Sequence, residues 1–171
     1  EQLLPNVERY SIDEAFADVS GLSRDRLVEL CNLVSRRVLR HTGIQVSIGV
    51  SSTKTLAKVS NRLAKRHTEL SGVCIGTEPL SFSKTLEQIN TREVWGVGRK
   101  ISVKLAELGI INARQLRDAD TEWIRKKFSV VLKRTVLELR GESCLELEGP
   151  EEYRNSLMCG RSFGIPLEKL G

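Results

Sequence analysis

Asp13 and Glu14 stand side by side within the run VERYSIDEAFADV, residues 7 to 19. Neighbouring carboxylates repel each other, so placing them together is costly unless a cation compensates. A divalent ion does so. Two Mg2+ ions held by carboxylates can activate a hydroxyl and neutralise a leaving pyrophosphate, which is what nucleotidyl transfer requires. Most Asp-Glu pairs are solvated turn residues, however, and the dipeptide alone leaves both readings open.

A second group with chemical potential is GVSSTKTLAKVSNRLAKR, residues 49 to 66. It reads as a strand running through a Gly/Ser/Thr turn into a helix. Helix N-termini offer free amides to phosphate, and Lys54, Lys58 and Arg62 at i, i+4 and i+8 share one face, with Lys65 overlapping it. The alternative is the ordinary lysine face of an amphipathic helix. The G-x-x-x-x-G-K-[ST] spacing of a P-loop is absent. A third group, VWGVGRKISVKLAELGI (94 to 110), sets Gly96 and Gly98 around Val97 and follows them with Arg99, Lys100 and Lys104. It resembles a helix-hairpin-helix, whose tight turn exposes backbone amides to a DNA phosphate without reading base sequence. Glycine permits the close approach. Val97, Ile101, Leu105 and Leu108 are expected on the buried side. A plain helical hairpin with a glycine turn is the alternative. Trp95 and Trp123 read as core anchors, and the solitary His41 and His67 carry no evident chemistry.

Strand formers on both sides of the acids predict two short strands joined by a tight turn at Asp13 and Glu14. From Ser23, a plausible N-cap, Leu27, Leu30, Cys31, Val34 and Val38 recur at helical spacing until Gly43, predicting a helix of about 18 residues. QVSIGV (45 to 50) alternates like a strand. The stretch from 51 to 66 predicts a capped helix with Leu56, Val59, Leu63 and Ala64 inward, and GVCI (72 to 75) one more strand. The order indicates an α/β domain over residues 1 to 76. Short helices then follow through REVW, RKISVKLAELG, ARQLRDA, TEWIRKKF and VVLKRTVLELRG, an all-helical unit over 77 to 148. It is small enough to lean on a neighbour or a ligand. Residues 149 to 171 read as an acidic linker and the first strand of a further domain, suggesting a chain cut from a longer one.

Net charge is +5 with a pI near 9.2. Residues 91 to 140 carry 12 basic and 6 acidic side chains, twice as many positive as negative. Between Glu29 and Glu69 there is no carboxylate, while Arg36, Arg37, Arg40, Lys54, Lys58, Arg62, Lys65 and Arg66 all fall there. One-signed stretches suit a polyanion. Cys31, Cys74, Cys144 and Cys159 are widely spaced, without the paired clusters that zinc needs, and read as reduced thiols of a cytoplasmic protein. No apolar run is long enough to span a membrane, and the N-terminus lacks the order of a signal peptide.

Taken in order, these stretches resemble the Y-family of lesion-bypass DNA polymerases, its UmuC/MucB/ImpB-like branch in particular. YSIDEAFAD resembles the family's second carboxylate motif and GVSSTKTLAKVSNRLAK the palm helix that follows it. VWGVGRK resembles the thumb hairpin, VVLKRTVLELRG a later thumb helix, and RSFG the start of the little finger. The resemblance implies a palm over 1 to 76, a thumb over 77 to 148 and a linker leading to the little finger over 149 to 171. It makes Asp13 and Glu14 catalytic ligands of a two-Mg2+ site, with Ser11 beside them. It gives Lys65 to the triphosphate of an incoming deoxynucleotide, and Gly96, Val97 and Gly98 with the adjoining Arg99, Lys100 and Lys104 to the primer strand. Primer-template DNA is the implied partner. A UmuD-like subunit and a sliding clamp would meet the parent protein elsewhere. The family's first metal-binding aspartate and its fingers do not precede Glu1, so the expectation is an error-prone translesion polymerase whose present portion is inactive alone. The competing expectation is a non-catalytic DNA-binding module of a repair complex.

Overall fold

The computed structural model describes residues 3–4, 6–76 and 83–148. Strand β1 (Val7–Arg9) pairs antiparallel with β2 (Ala15–Ala17), Glu8 lying opposite Phe16, so the acids occupy the connecting turn as the strand formers on either side predict. Helix α1 (Arg24–Thr42) starts at Ser23, whose side chain accepts from the Arg26 amide, and stops at Gly43 in the left-handed region, φ 72°. A glycine there closes the last turn without a Cβ penalty. Strand β3 (Ile48–Val50) is shorter than the alternation from 45 suggests, and it pairs in parallel with β4 (Val73–Ile75) across the intervening helix α2 (Lys54–Arg66).

Helix α2 is capped by Thr53, which accepts from the Leu56 amide. It lies so close to β3 that a Cβ placed on Gly49 would sit 2.1 Å from the Asn61 backbone nitrogen and 2.3 Å from the Ala57 carbonyl oxygen. Asn61 fastens the contact by donating to the Ser47 carbonyl at 2.5 Å. On the far side of the parallel pair, Leu27 and Cys31 of α1 pack with Val50, bordered by Val19, Ile48, Val73 and Ile75. Burial pushes the Cys31 and Cys74 thiols up, away from thiolate chemistry.

The helical part follows as α3 (Ser83–Gln88), α4 (Arg99–Glu107), α5 (Ala113–Asp118), α6 (Thr121–Lys127) and α7 (Val130–Leu139), with short 3-10 turns at Thr68–Leu70 and Thr91–Glu93. Most starts are written in the sequence: Asn112, Asp120 and Ser129 each accept from a first-turn amide, and Asn112 forms a capping box with Gln115. The larger core joins Leu56, Val59 and Leu63 of α2 to Leu86, Ile89, Val97, Leu105, Leu116, Ile124 and the α7 residues Leu132, Val136 and Leu139. One helix therefore serves both parts.

Two apolar expectations are corrected here. Leu108 is 47% exposed rather than buried, because α4 ends at Glu107 and Gly109, φ 80°, turns the chain away. Ile110 takes the inward place instead, its amide donating to the Leu105 carbonyl. Trp123 packs on the large core as expected, with Phe128 edge-on at 6.3 Å, but Trp95 leaves that core for the rings of the β1–β2 hairpin. RSFG, Cys159 and the expected linker lie outside the described residues. Among the described residues no helix is long and apolar enough to cross a membrane.

The backbone contact at Gly49 cannot yield as a flexible side chain would. Gly49→Ala is expected to cost about 3 kcal/mol or more, read as a lowered urea midpoint, whereas Gly98→Ala, whose Cβ would meet nothing within 4 Å, leaves the midpoint within about 0.5 kcal/mol.

Candidate active site

The β1–β2 turn is a compact polar loop. The amides of Tyr10 and Ser11 both donate to the Glu14 carbonyl at 3.0 Å, fixing the backbone across the turn. Ser11 donates its hydroxyl to Asp13 Oδ1 at 2.7 Å. The Asp13 side chain is exposed, and Ile12 beside it is fully exposed, so the tip projects from the hairpin with nothing over it among the described residues. Glu14 turns inward and accepts from Lys58 Nζ at 2.9 Å.

Lys58 also faces two rings, with Nζ 4.6 Å from the Tyr10 centroid and 5.2 Å from that of Trp95. Ring faces are electron-rich and attract an ammonium. The rings form a box: Trp95 lies edge-on to Tyr10 at 5.3 Å, Phe16 is 5.6 Å from Trp95, and Trp95 Nε1 donates to the Tyr10 hydroxyl at 3.0 Å. Tyr10 is two residues from the acidic turn's Ile12, and Trp95 directly precedes Gly96. The acidic turn and the glycine turn are thus joined through one hydrogen bond and one cluster of ring contacts.

The basic face of α2 is present, but it is not a free surface. Lys54 pairs with Glu8 at 2.5 Å, both side chains almost enclosed, and it also donates to the Glu146 carbonyl at 2.6 Å. Glu8 Oε2 accepts the Glu148 amide at 2.8 Å. Lys58 holds Glu14, and Arg62 and Arg66 both hold Glu93, Arg62 at 3.0 Å. Of the two readings of this face, the phosphate-facing row is set aside for Lys54, Lys58 and Arg62: their charges are taken by carboxylates distant in sequence. Lys65 remains exposed and, among the described residues, carries no ion pair. It lies two helical turns beyond Lys58, about 10 Å along the axis.

Two residues that matter here escaped the sequence reading. Glu8 looked like a strand residue, and only its register opposite Phe16 turns it toward Lys54. Glu138 is completely buried on α7. Its Oε2 accepts the Thr55 amide in the first turn of α2 at 3.0 Å, its Oε1 accepts the Cys144 amide at 2.7 Å, and its carbonyl accepts from the Thr53 hydroxyl at 2.8 Å. A carboxylate at a helix N-terminus meets both free amides and the positive end of the dipole. The N-terminus of α2 is consequently occupied by the protein itself. The available signal was one acidic residue set among the apolar positions of VVLKRTVLELRG.

At the glycine turn, Gly96 takes φ 82° and Gly98 caps α4 without any side-chain bond to the first-turn amides. Val97 is buried, while Arg99, Lys100 and Lys104 are exposed. The first turn of α4 thus presents free amides beside three cations, as anion contact requires. For a divalent ion the structure supplies hard oxygen donors at Asp13 and Glu14, the right chemistry for Mg2+. They form an incomplete set: among the described residues no three Asp, Glu, His or Cys side chains gather as a metal centre.

Residues 1–62 match the model of the impB/mucB/samB family. The chain is 45% identical over 166 residues to Protein UmuC of Salmonella typhimurium, covering 96% of this chain and 39% of that protein. It is 40% identical over 112 residues to DNA polymerase IV 2 of Mesorhizobium japonicum, covering 64% of this chain and 26% of that protein. The fold is similar to the insertion ternary complex of Dbh DNA polymerase, with a TM-score of 0.69 over 85% of this chain and 42% of that one at 24% identity. The chain spans about two fifths of the length of UmuC.

Glu93 is the acidic centre of the α2 clamp. Burial pushes its carboxyl up, but the Asn90 amide and the Arg62 and Arg66 guanidiniums outweigh that and hold it below its ordinary value of 4.5. A carboxyl lowered in the folded state contributes stability that is whole above the unfolded value and lost as pH falls through the folded one. Glu93→Gln is therefore expected to be less stable than the parent at pH 7, with the gap narrowing below about pH 4.5. Urea midpoints measured from pH 7 to pH 3 check this. A constant gap would show that the carboxylate charge is not what stabilises the clamp.

Proposed function

We propose, from the match of residues 1–62 to the impB/mucB/samB family and the likeness to UmuC over nearly the whole chain, that the chain is the carboxylate-bearing palm and thumb portion of a Y-family DNA polymerase. In this reading the parent protein extends a primer across damaged template bases by template-directed nucleotidyl transfer. The observation that carries it is the Trp95–Tyr10 hydrogen bond, which sets a turn bearing two carboxylates beside a turn bearing free amides and cations. Phosphoryl transfer on a DNA end needs those two functions together: negative ligands for cations at the reacting phosphate, and donors that hold the adjoining backbone.

Asp13 and Glu14 would hold Mg2+ with further ligands from elsewhere in the parent, and the bound cations would supply charge neutralisation at the reacting phosphate. Ser11 orients Asp13 through its hydroxyl and borders the nucleotide. Lys65, the α2 cation without an ion pair among the described residues, is available for the triphosphate. Gly96 to Gly98 with Arg99, Lys100 and Lys104 act as the helix-hairpin-helix contact to the primer strand. Residues 1 to 76 then form the end of the palm, 77 to 148 the thumb, and 149 to 171 the approach to the little finger. Helix α2 lies with its backbone against β3 while its apolar side chains enter the core of the helical part, which supports a palm and thumb that meet through that helix. A UmuD-like subunit and a sliding clamp would engage other regions of the parent, which works on DNA in the cytoplasm.

The Glu14–Lys58 ion pair favours one rival, a DNA-binding module whose acidic pair is structural. Primer extension by a longer polymerase carrying this chain separates the two. Asp13→Ala and Glu14→Ala are each expected to lower extension about a thousandfold, roughly 4 kcal/mol of barrier, with DNA affinity retained. Extension that survives both changes would reject the catalytic role.

A second measurement addresses the glycine turn. DNA binding by the 171-residue chain should be salt-sensitive and largely independent of base sequence. Replacing Arg99, Lys100 and Lys104 together with alanine should reduce the slope of log affinity against log salt by up to about 3, near one per lost phosphate contact. An unchanged slope would remove the primer-strand contact from this turn.

A further inference from the structure

We propose that Lys58 is the resident counter-ion of the acidic turn, holding Glu14 while the turn carries no divalent cation and releasing it when one binds. The inference rests on Asp13 and Glu14 being cation ligands. Its own observations are the placement of Lys58 and the contrast with its neighbour on α2. Lys58 Nζ lies 2.9 Å from Glu14 Oε2, the position a divalent ion would need to share. An ammonium and a divalent cation on one carboxylate repel strongly, so the two occupancies exclude each other.

Three features make the exchange feasible. The pair is accessible, with side-chain exposures of 24% for Lys58 and 40% for Glu14, whereas Lys54–Glu8 is enclosed at 11% and 8% and tied on both sides to residues 146 and 148. Lys58 has a second resting place over the Tyr10 and Trp95 rings, so losing Glu14 does not strand its charge. The turn is held by the Glu14 carbonyl rather than its carboxylate, and Asp13 by Ser11, so a changed partner at the Glu14 side chain leaves the loop in shape. Because Trp95 also precedes Gly96, the arrival of a cation at the acids becomes an electrostatic change next to the glycine turn.

Trp95 serves as the reporter. In the 171-residue chain carrying Trp123→Phe, Trp95 is the single tryptophan. Mg2+ is added at constant ionic strength, affinity being read by calorimetry and the ring environment by emission. The expected result is a saturable emission change in this parent. Lys58→Met, which keeps the apolar stem and removes the charge, should bind Mg2+ at least fivefold tighter and lose the emission change. Lys58→Gln should move the same way, and it decides the matter if circular dichroism shows the Met variant to be unfolded. Adding Glu14→Gln to Lys58→Met should abolish the gain. Unchanged or weaker Mg2+ binding in both Lys58 variants, with binding still dependent on Glu14, overturns the exchange and leaves the ligand assignment standing. Mg2+ affinity indifferent to both Asp13→Asn and Glu14→Gln overturns the ligand assignment and the exchange with it, and no saturation in any variant overturns the exchange.

Discussion

Helix α2 is held on one side by a backbone contact that tolerates no side chain and on the other by a row of carboxylates drawn from two separate parts of the chain. Gly49 brings its backbone against β3. Lys54, Lys58, Arg62 and Arg66 then fix Glu8 and Glu14 of the hairpin and Glu93 of the 3-10 turn before Trp95. The hairpin is only three residues long on each strand, too little to be stable by itself in water. Its position is imposed by the helix.

These ion pairs are not equivalent. Exposed pairs between long side chains contribute little, generally below about 1 kcal/mol, because solvent screens them and ordering costs entropy. Breaking an enclosed pair strands a charge and costs several times more. Lys54–Glu8 is of the second kind, with backbone groups at 146 and 148 satisfying what the pair leaves open. Glu138 resembles it without a cation: two amides and the dipole of α2 compensate a fully buried carboxylate. Together they tie the start of α2, the hairpin and the segment after α7 at one point. Lys58–Glu14, more open and flanked by rings, is the element suited to change.

The chemistry follows from that division between fixed and exchangeable charge. A turn that is to hold a metal, as proposed for this one, must be rigid in its backbone and free in its carboxylates. Here the Glu14 carbonyl receives both turn amides while the Asp13 side chain faces solvent. The glycine turn has the complementary character, its amides unclaimed by side chains and its cations unpaired among the described residues. Edge-on and tilted ring contacts among Tyr10, Phe16 and Trp95 set the separation of the two turns, with a geometry more restrictive than that of aliphatic packing.

What the sequence determined by itself was local. Helix starts at Ser23, Asn112, Asp120 and Ser129, the stop at Gly43, the acidic hairpin turn, and the inward residues Leu56, Val59 and Leu63 all depend on neighbours within about four residues, and periodicity and capping chemistry report those directly. The acids, the glycine turn and their order were legible for the same reason. The tertiary structure decided who partners whom. Lys54, Lys58 and Arg62 looked like one free basic face because the stretch around them holds no carboxylate, yet Glu8, Glu14 and Glu93 arrive from 31 to 46 residues away. Trp95 read as a core residue and became the bridge between turns, and Glu138, which the sequence did not single out, became the cap of another helix. Side-chain periodicity specifies which face of an element is apolar, whereas an ion pair, a ring contact or a borrowed cap depends on where a second element comes to rest, and that is set by the packing of the whole chain.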